Sequence, residues 1–189
     1  PAQWRRPFES FYRETLDQIA WAEGLGYRSV WLTEHHFVDD GYTPSPLVIA
    51  GSIAARTTEM RMSTSLMLLP LHDPIRLAED YAMADIVTDG RVVMGVGRGY
   101  HTREVESFGA PLLDANANRD LFEEGLELLL KCFNEPEFHH KGKFYEAPPP
   151  VDYRGYKLTD ITLVPRPKHL PVEIWMPIAS GKTIEMMAQ

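Results

Sequence analysis

The feature that most limits what this chain can fold into is an alternation. Apolar, strand-forming segments at Tyr27–Thr33, Arg61–Leu69, Arg91–Val96 and Val172–Met176 are separated by segments of helical periodicity. Strands joined by helical crossovers lie parallel, so the order α-β-α-β-α-β-α-insert-β-α predicts an α/β fold with a parallel sheet and its helices outside. The segment RVVMGV, apolar almost throughout, suits a strand covered on both faces. An eight-stranded α/β barrel takes roughly 250 residues; the 189 residues here supply about half of one. The chain opens on a helix, which implies a missing strand upstream.

The boundaries follow from caps and breakers. Glu9–Glu23 is helical, with Leu16, Ile19 and Ala20 on its apolar face, and Gly24 and Gly26 end it. Ser45-Pro46 and Asp73-Pro74 each pair a cap with a proline suited to the first helical position. The first of these helices runs to about Arg56 and the second to Asp89-Gly90. A further helix begins at Asn116 or Asn118 and ends near Phe133, and a last one opens at Ser180-Gly181-Lys182. Residues 134–170 are rich in proline and polar turns. They read as an insertion in a single domain spanning residues 1–189, with short strands near Phe144–Glu146 and Ile161–Val164, because so small a segment cannot bury a core of its own.

Composition narrows the partners. A net charge of −8 argues against nucleic acid or an anionic membrane, so any basic group that matters must act locally. The single Cys132 excludes an internal disulfide framework and points to a reducing, cytoplasmic setting. No membrane span is expected, since no run of about 18 apolar residues occurs, and PAQWRRPFES lacks the apolar core of a signal peptide.

Chemistry collects where strands end. In SVWLTEHHF, apolar Val30, Trp31 and Leu32 run directly into Thr33, Glu34, His35 and His36. Reacting groups of α/β barrels sit at the carboxyl ends of their strands, and an imidazole exchanges protons near neutral pH. Adjacent side chains in extended chain point to opposite sides, so one of the two histidines should face the barrel axis. A strand-end histidine held by a backbone partner fits the same pattern. Metal ligation is disfavoured, because no further Cys or His lies nearby at ligand spacing. Glu34 is either a reacting carboxylate or the group that orients a histidine, and His139-His140 reads as solvated loop. Ser63-Thr64-Ser65 places small polar residues inside an apolar strand, as packing against a flat polar ligand or a partly exposed strand would. In Gly95-Val96-Gly97-Arg98-Gly99-Tyr100 the glycines allow close approach to the backbone. Arg98 supplies a permanent cation suited to a phosphate, although a tight turn with a surface arginine has the same sequence. Ser180, Gly181 and Thr183 at a helix start could bind an anion or simply cap the helix. Arg98 and Ser180 follow successive strands, which are neighbours in a barrel.

These residues resemble the bacterial luciferase-like flavin monooxygenase family. The match runs from about Phe8 to the end through AEGLGYRSVWLTEHHF, LPLHDPIRLAED, DGRVVMGVGRGY and LVPRP…PVEIWMPIASGKTIE. The resemblance implies a (β/α)8 TIM barrel, of which this chain supplies strands 2–5 and their helices. It implies FMN as cofactor, with the reduced form supplied by a flavin reductase or NAD(P)H, and O2 as co-substrate in oxygenation of an organic compound. His35, with Glu34, matches the catalytic position beside the flavin ring. Ser65–Leu66 matches a non-prolyl cis peptide behind that ring. Gly97, Arg98, Ala179, Ser180 and Thr183 match cofactor-binding positions. Ala179 stands where some luciferases have glutamate, and Gly97 where luciferase alpha subunits carry a reactive cysteine. The EHHF form is closer to the FMN branch than to dehydrogenases using the deazaflavin coenzyme F420, the alternative cofactor. A non-catalytic flavin-binding or dimerising subunit is a third reading. In that third reading Met83, Ile86 and the Val48–Ala55 helix could supply the dimer interface; a homodimer is also expected of the enzyme.

Overall fold

The computed structural model describes residues 6–39, 41–178, 181, 184 and 185. Helix α1 (Phe8–Gly24) leads into strand β1 (Ser29–Leu32), then α2 (Pro46–Ala54), β2 (Arg61–Thr64) and β3 (Met67–Leu68). A 3-10 turn at Leu69–Leu71 precedes α3 (Pro74–Val87), followed by β4 (Val92–Gly97), α4 (Thr102–Ser107) and α5 (Ala115–Asn134). Two hairpins come next, β5 (His140–Lys141) with β6 (Glu146–Ala147) and β7 (Asp152–Tyr153) with β8 (Tyr156–Lys157), before β9 (Ile174–Trp175).

The sheet is parallel throughout. β1 pairs with β2, β2 and β3 both pair with β4, and β9 pairs with the other side of β4. The order is that of consecutive barrel staves, and the strands after which Arg98 and Ser180 come are indeed neighbours. The expected strand Arg61–Leu69 is thus one stave in two pieces. Met62 lies opposite Val92 and Met67 opposite Val96, so five steps on one strand match four on the other. The surplus residue makes a bulge at Ser65–Leu66, whose peptide bond is cis. Thr64 repairs the interrupted ladder: its hydroxyl donates to the Gly95 carbonyl at 2.9 Å and accepts the Gly95 N–H at 2.8 Å. Ser63 and Thr64 are buried, so this polar step is not an exposed strand; its threonine serves the strand pairing itself.

The core lies between sheet and helices. Met62, Val92, Met94 and Val96 pack with Ile53, Leu77, Tyr81, Phe122, Leu129 and Phe133. Each such burial contributes roughly 1.5–3 kcal/mol relative to exposure. Polar links set the helices on the sheet. The Glu23 carboxylate at the end of α1 accepts the N–H groups of Thr58, Glu59 and Met60 just before β2. Arg91 donates to the carbonyls of Ala54 and Thr88, where α2 and α3 end and carbonyls lack intrahelical partners. Asp73 caps α3, accepting from Ile75 and Arg76. The cap of α5 is Asp114, two residues ahead of the nearer expected start, Asn116. Ser45 precedes α2 without a side-chain cap bond; Pro46, which needs no N–H partner, does the starting alone. In the segment after α5, Ile161 contributes only an isolated bridge to Phe138. His140 is buried, not solvated, because Glu124 on α5 reaches its Nε2 at 3.2 Å. Glu124 also accepts the N–H groups of Lys143, Phe144 and Tyr145, tying this segment to α5. No described helix is long and apolar enough to cross a membrane.

Candidate active site

A cavity of about 450 Å³ opens at the carboxyl ends of β1, β3, β4 and β9. That volume lies within the roughly 300–1,000 Å³ typical of small-molecule sites. Its walls include Thr33, Glu34 and His35 after β1, Ser65, Leu66 and Leu68 around the bulge, and Gly97, Arg98 and Tyr100 at the end of β4. Arg119, Phe122 and Glu123 from α5 and Met176 and Pro177 after β9 complete it.

The two adjacent histidines part as extended backbone requires. His35 faces the cavity, with its ring 4.7 Å from that of Tyr42 and 5.5 Å from that of His101. His36 turns the other way and packs edge-on to Phe108 at 4.8 Å. Each ring has a carboxylate. His35 Nδ1 lies 3.0 Å from Glu104 Oε1, and the same oxygen accepts the His36 backbone N–H at 3.0 Å. A carboxylate oxygen that already accepts the His36 N–H suits a His35 ring that donates from Nδ1 and turns Nε2 to the cavity. Glu104 is buried on α4, a helix built into the loop that follows β4. Sequence reasoning passed over it because one acidic residue in the run TREVES looks like any other. Only the turn of chain after Gly99 brings it beneath His35.

Glu34 does not reach His35. Its Oε1 lies 2.9 Å from His36 Nε2 and 2.8 Å from His72 Nε2, while Oε2 accepts the Leu68 N–H at 2.7 Å. Burial works against its charge, yet the hydrogen bond and charge of His72, the Leu68 N–H and the His36 bond outweigh it and hold the carboxyl below its ordinary range. His72 was also missed: within LPLHDPIR it reads as part of a helix start.

Leu66 seals the back of the cavity. A Cβ on Gly97 would come within 2.6 Å of Leu66 Cδ1, so only glycine leaves this leucine where it is. Arg98 projects from the next position. Among the described residues its guanidinium has no hydrogen bond or ion pair, and Arg119, 3.7 Å from Glu123, lines the same cavity. The cavity thus carries two guanidinium groups beside the carboxylates of Glu34 and Glu123, and Arg98 is the cation that no described carboxylate neutralises. Ala179, Ser180 and Thr183 lie outside the described residues. The residues present suit a planar, phosphorylated coenzyme: a leucine wall, a cation without a partner among the described residues, and an imidazole facing the cavity.

The chain matches the model of the family described as luciferase-like monooxygenase over residues 4–189. It is 34% identical to an uncharacterized Sinorhizobium fredii protein, y4vJ, over 93% of this chain and 46% of that one. It is 27% identical to the oxygenase component of the flavin-dependent trigonelline monooxygenase of Acinetobacter baylyi, over 74% of this chain and 38% of that one. Among solved structures, the monooxygenase RslO1 from Streptomyces bottropensis superposes with a TM-score of 0.81 at 25% identity, over 97% of this chain and 52% of its own. The chain therefore spans about half the length, or less, of the relatives it matches, and the fold is about half of a (β/α)8 barrel. With the staves, the cis bond at Ser65–Leu66 and the histidine at the strand end all in place, the chain belongs to the luciferase-like monooxygenase family.

Proposed function

We propose that the protein is a flavin-dependent monooxygenase that uses reduced FMN and O2 to oxygenate an organic substrate. One observation carries this reading: His35 and Arg98, which has no partner among the described residues, line one cavity with Leu66 of the cis Ser65–Leu66 bond. Ser65, Leu66 and Gly97 would hold the flat ring of the coenzyme. Arg98, with Arg119 as a second cation, would hold its phosphate. Ala179, Ser180 and Thr183 are assigned to the same end by family likeness. When bound, the flavin supplies the oxygen-activating redox chemistry, and the protein supplies position and dryness. Tyr42, Tyr100, Phe122 and Met176 present largely apolar surface that keeps water from the reacting face. His35 takes and returns a proton at Nε2, with Glu104 holding Nδ1–H and thus the ring's tautomer and direction.

Further assignments go with this reading. Residues 1–189 form one partial barrel domain with an insertion at about 134–170. The reduced coenzyme comes from a partner reductase, and the protein works in the cytoplasm. It pairs as a homodimer through α2 and α3, where Val48, Met83, Ile86 and Val87 are exposed. The test is titration of the protein and of Arg98→Ala with FMN, riboflavin and coenzyme F420, following flavin fluorescence. FMN should be preferred to F420, and the substitution should weaken FMN by at least roughly tenfold while barely touching riboflavin. Equal losses would take Arg98 off the phosphate, and tighter binding of F420 would replace the monooxygenase by a hydride-transferring oxidoreductase.

A further inference from the structure

Three donors converge on Glu34, which is 2% exposed: one from its own strand end and two from the segment that runs from β3 into α3. Through His36 it holds the strand end that carries His35. Through the Leu68 N–H it holds the β3 wall just beyond the bulge. Through His72 it holds the turn that leads into α3. His72 in turn lines a second cavity, about 400 Å³, between α2 and α3. All three contacts are donations to Glu34, and a carboxylate with three donors has little basicity left to offer a substrate. We propose that Glu34 is a positioning residue, a buried strut that fixes the His35–His36 strand end against the Leu66–Leu68 wall, and that it transfers no proton in the reaction. Its functional consequence rests on the flavin reading above; its structural part does not.

The geometry sets a specific signature. At a pH where Glu34 is ionised and both imidazoles are neutral, His36 and His72 must each carry their single proton on Nε2. Glu34→Gln offers one acceptor oxygen and one NH2 group. The oxygen must stay on the Leu68 N–H, which cannot change, and the NH2 then faces the two imidazoles. Each ring can accept one of its hydrogens only by moving its own proton to Nδ1. Glu34→Gln should therefore fold, and His36 and His72 should both switch from the Nε2–H to the Nδ1–H tautomer while His35 keeps Nδ1–H on Glu104. Glu34→Ala leaves all three donors without their acceptor. It should weaken FMN and riboflavin alike, each by roughly tenfold, because the wall moves and the phosphate contact does not.

The experiment is long-range 1H–15N correlation of the histidine rings in the coenzyme-free protein and its Glu34 variants, together with FMN and riboflavin titration. Retention of Nε2–H on both rings in Glu34→Gln would overturn the strut, as would wild-type flavin affinity in Glu34→Ala. Loss of turnover in Glu34→Gln with tautomers switched and flavin affinity intact would return Glu34 to proton transfer. If Glu34→Ala fails to fold, the tautomer switch in Glu34→Gln decides alone. If the wild type binds neither flavin, the coenzyme reading falls while the ring spectra still decide the strut.

Discussion

Gly95→Ala is the sharpest test of how β2, β3 and β4 fit together. Neither Gly95 nor Gly97 has a positive φ, so alanine is conformationally acceptable at both and only space decides. At Gly95 the new methyl would sit 2.1 Å from the Thr64 carbonyl oxygen and 3.0 Å from Leu66 Cδ2. The first neighbour is backbone and cannot rotate away, so β2 and β4 must separate. Separation strains the two Thr64 hydroxyl bonds to Gly95 that bridge the bulge. Overpacking costs about 1–3 kcal/mol and each lost bond about 1 kcal/mol, for about 3–5 kcal/mol together. In a chain of this size each kcal/mol lowers Tm by about 2–4 °C, so thermal unfolding should move down by about 6–20 °C. Gly97→Ala meets only Leu66 Cδ1, at 2.6 Å, the movable end of a side chain. Its cost to Tm should be smaller, but Leu66 must swing, and flavin affinity should fall. Circular dichroism melts and flavin titration of the two variants check this. A Gly95→Ala protein that melts within about 2 °C of wild type would refute the argument, since it would show that the strands can part there at almost no cost.

Acid should find Glu34. Its folded carboxyl is held below the ordinary value of 4.5, so its contribution is present above that pH and is lost as pH falls through the lower folded value. Urea midpoints measured from pH 6 downward should drop more steeply for wild type than for Glu34→Gln; parallel curves would remove Glu34 from the acid limb. Cys132 is buried, and burial with nearby Asp73, Glu79 and Glu135 pushes its thiol up to about 12. A thiol reagent should modify it only as the protein opens, so the rate should rise with denaturant and be negligible without it.

Much of the frame could be read from the residues because local rules and tertiary demands agree there. Asp73-Pro74 starts a helix both by propensity and in fact, and RVVMGV is apolar throughout because helices cover one face of β4 and the barrel hollow the other. The histidine pair could be read because alternation along a strand end needs no long-range information. What escaped was whatever depends on a second piece of chain. Glu104 and His72 are ordinary polar residues until the loop after β4 and the turn before α3 deliver them under His35 and Glu34. The buried state of His140 likewise depends on Glu124, sixteen residues earlier on α5. Thr64 fitted both a ligand-facing residue and a partly exposed strand, because its actual partner, the backbone of Gly95, belongs to another stave.

The surplus residue between Thr64 and Met67 also decides which side chains reach the hollow. Before it, even-numbered Met62 looks toward the helices; after it, odd-numbered Met67 does, and even-numbered Leu68 becomes part of the cavity lining. A single added amino acid thus exchanges inside for outside over the final third of a stave, and gives the ligand chamber a leucine that a regular strand would have sent to the hydrophobic layer. Shortening this stretch by one position would leave composition almost untouched and yet turn the chamber's rear surface inside out.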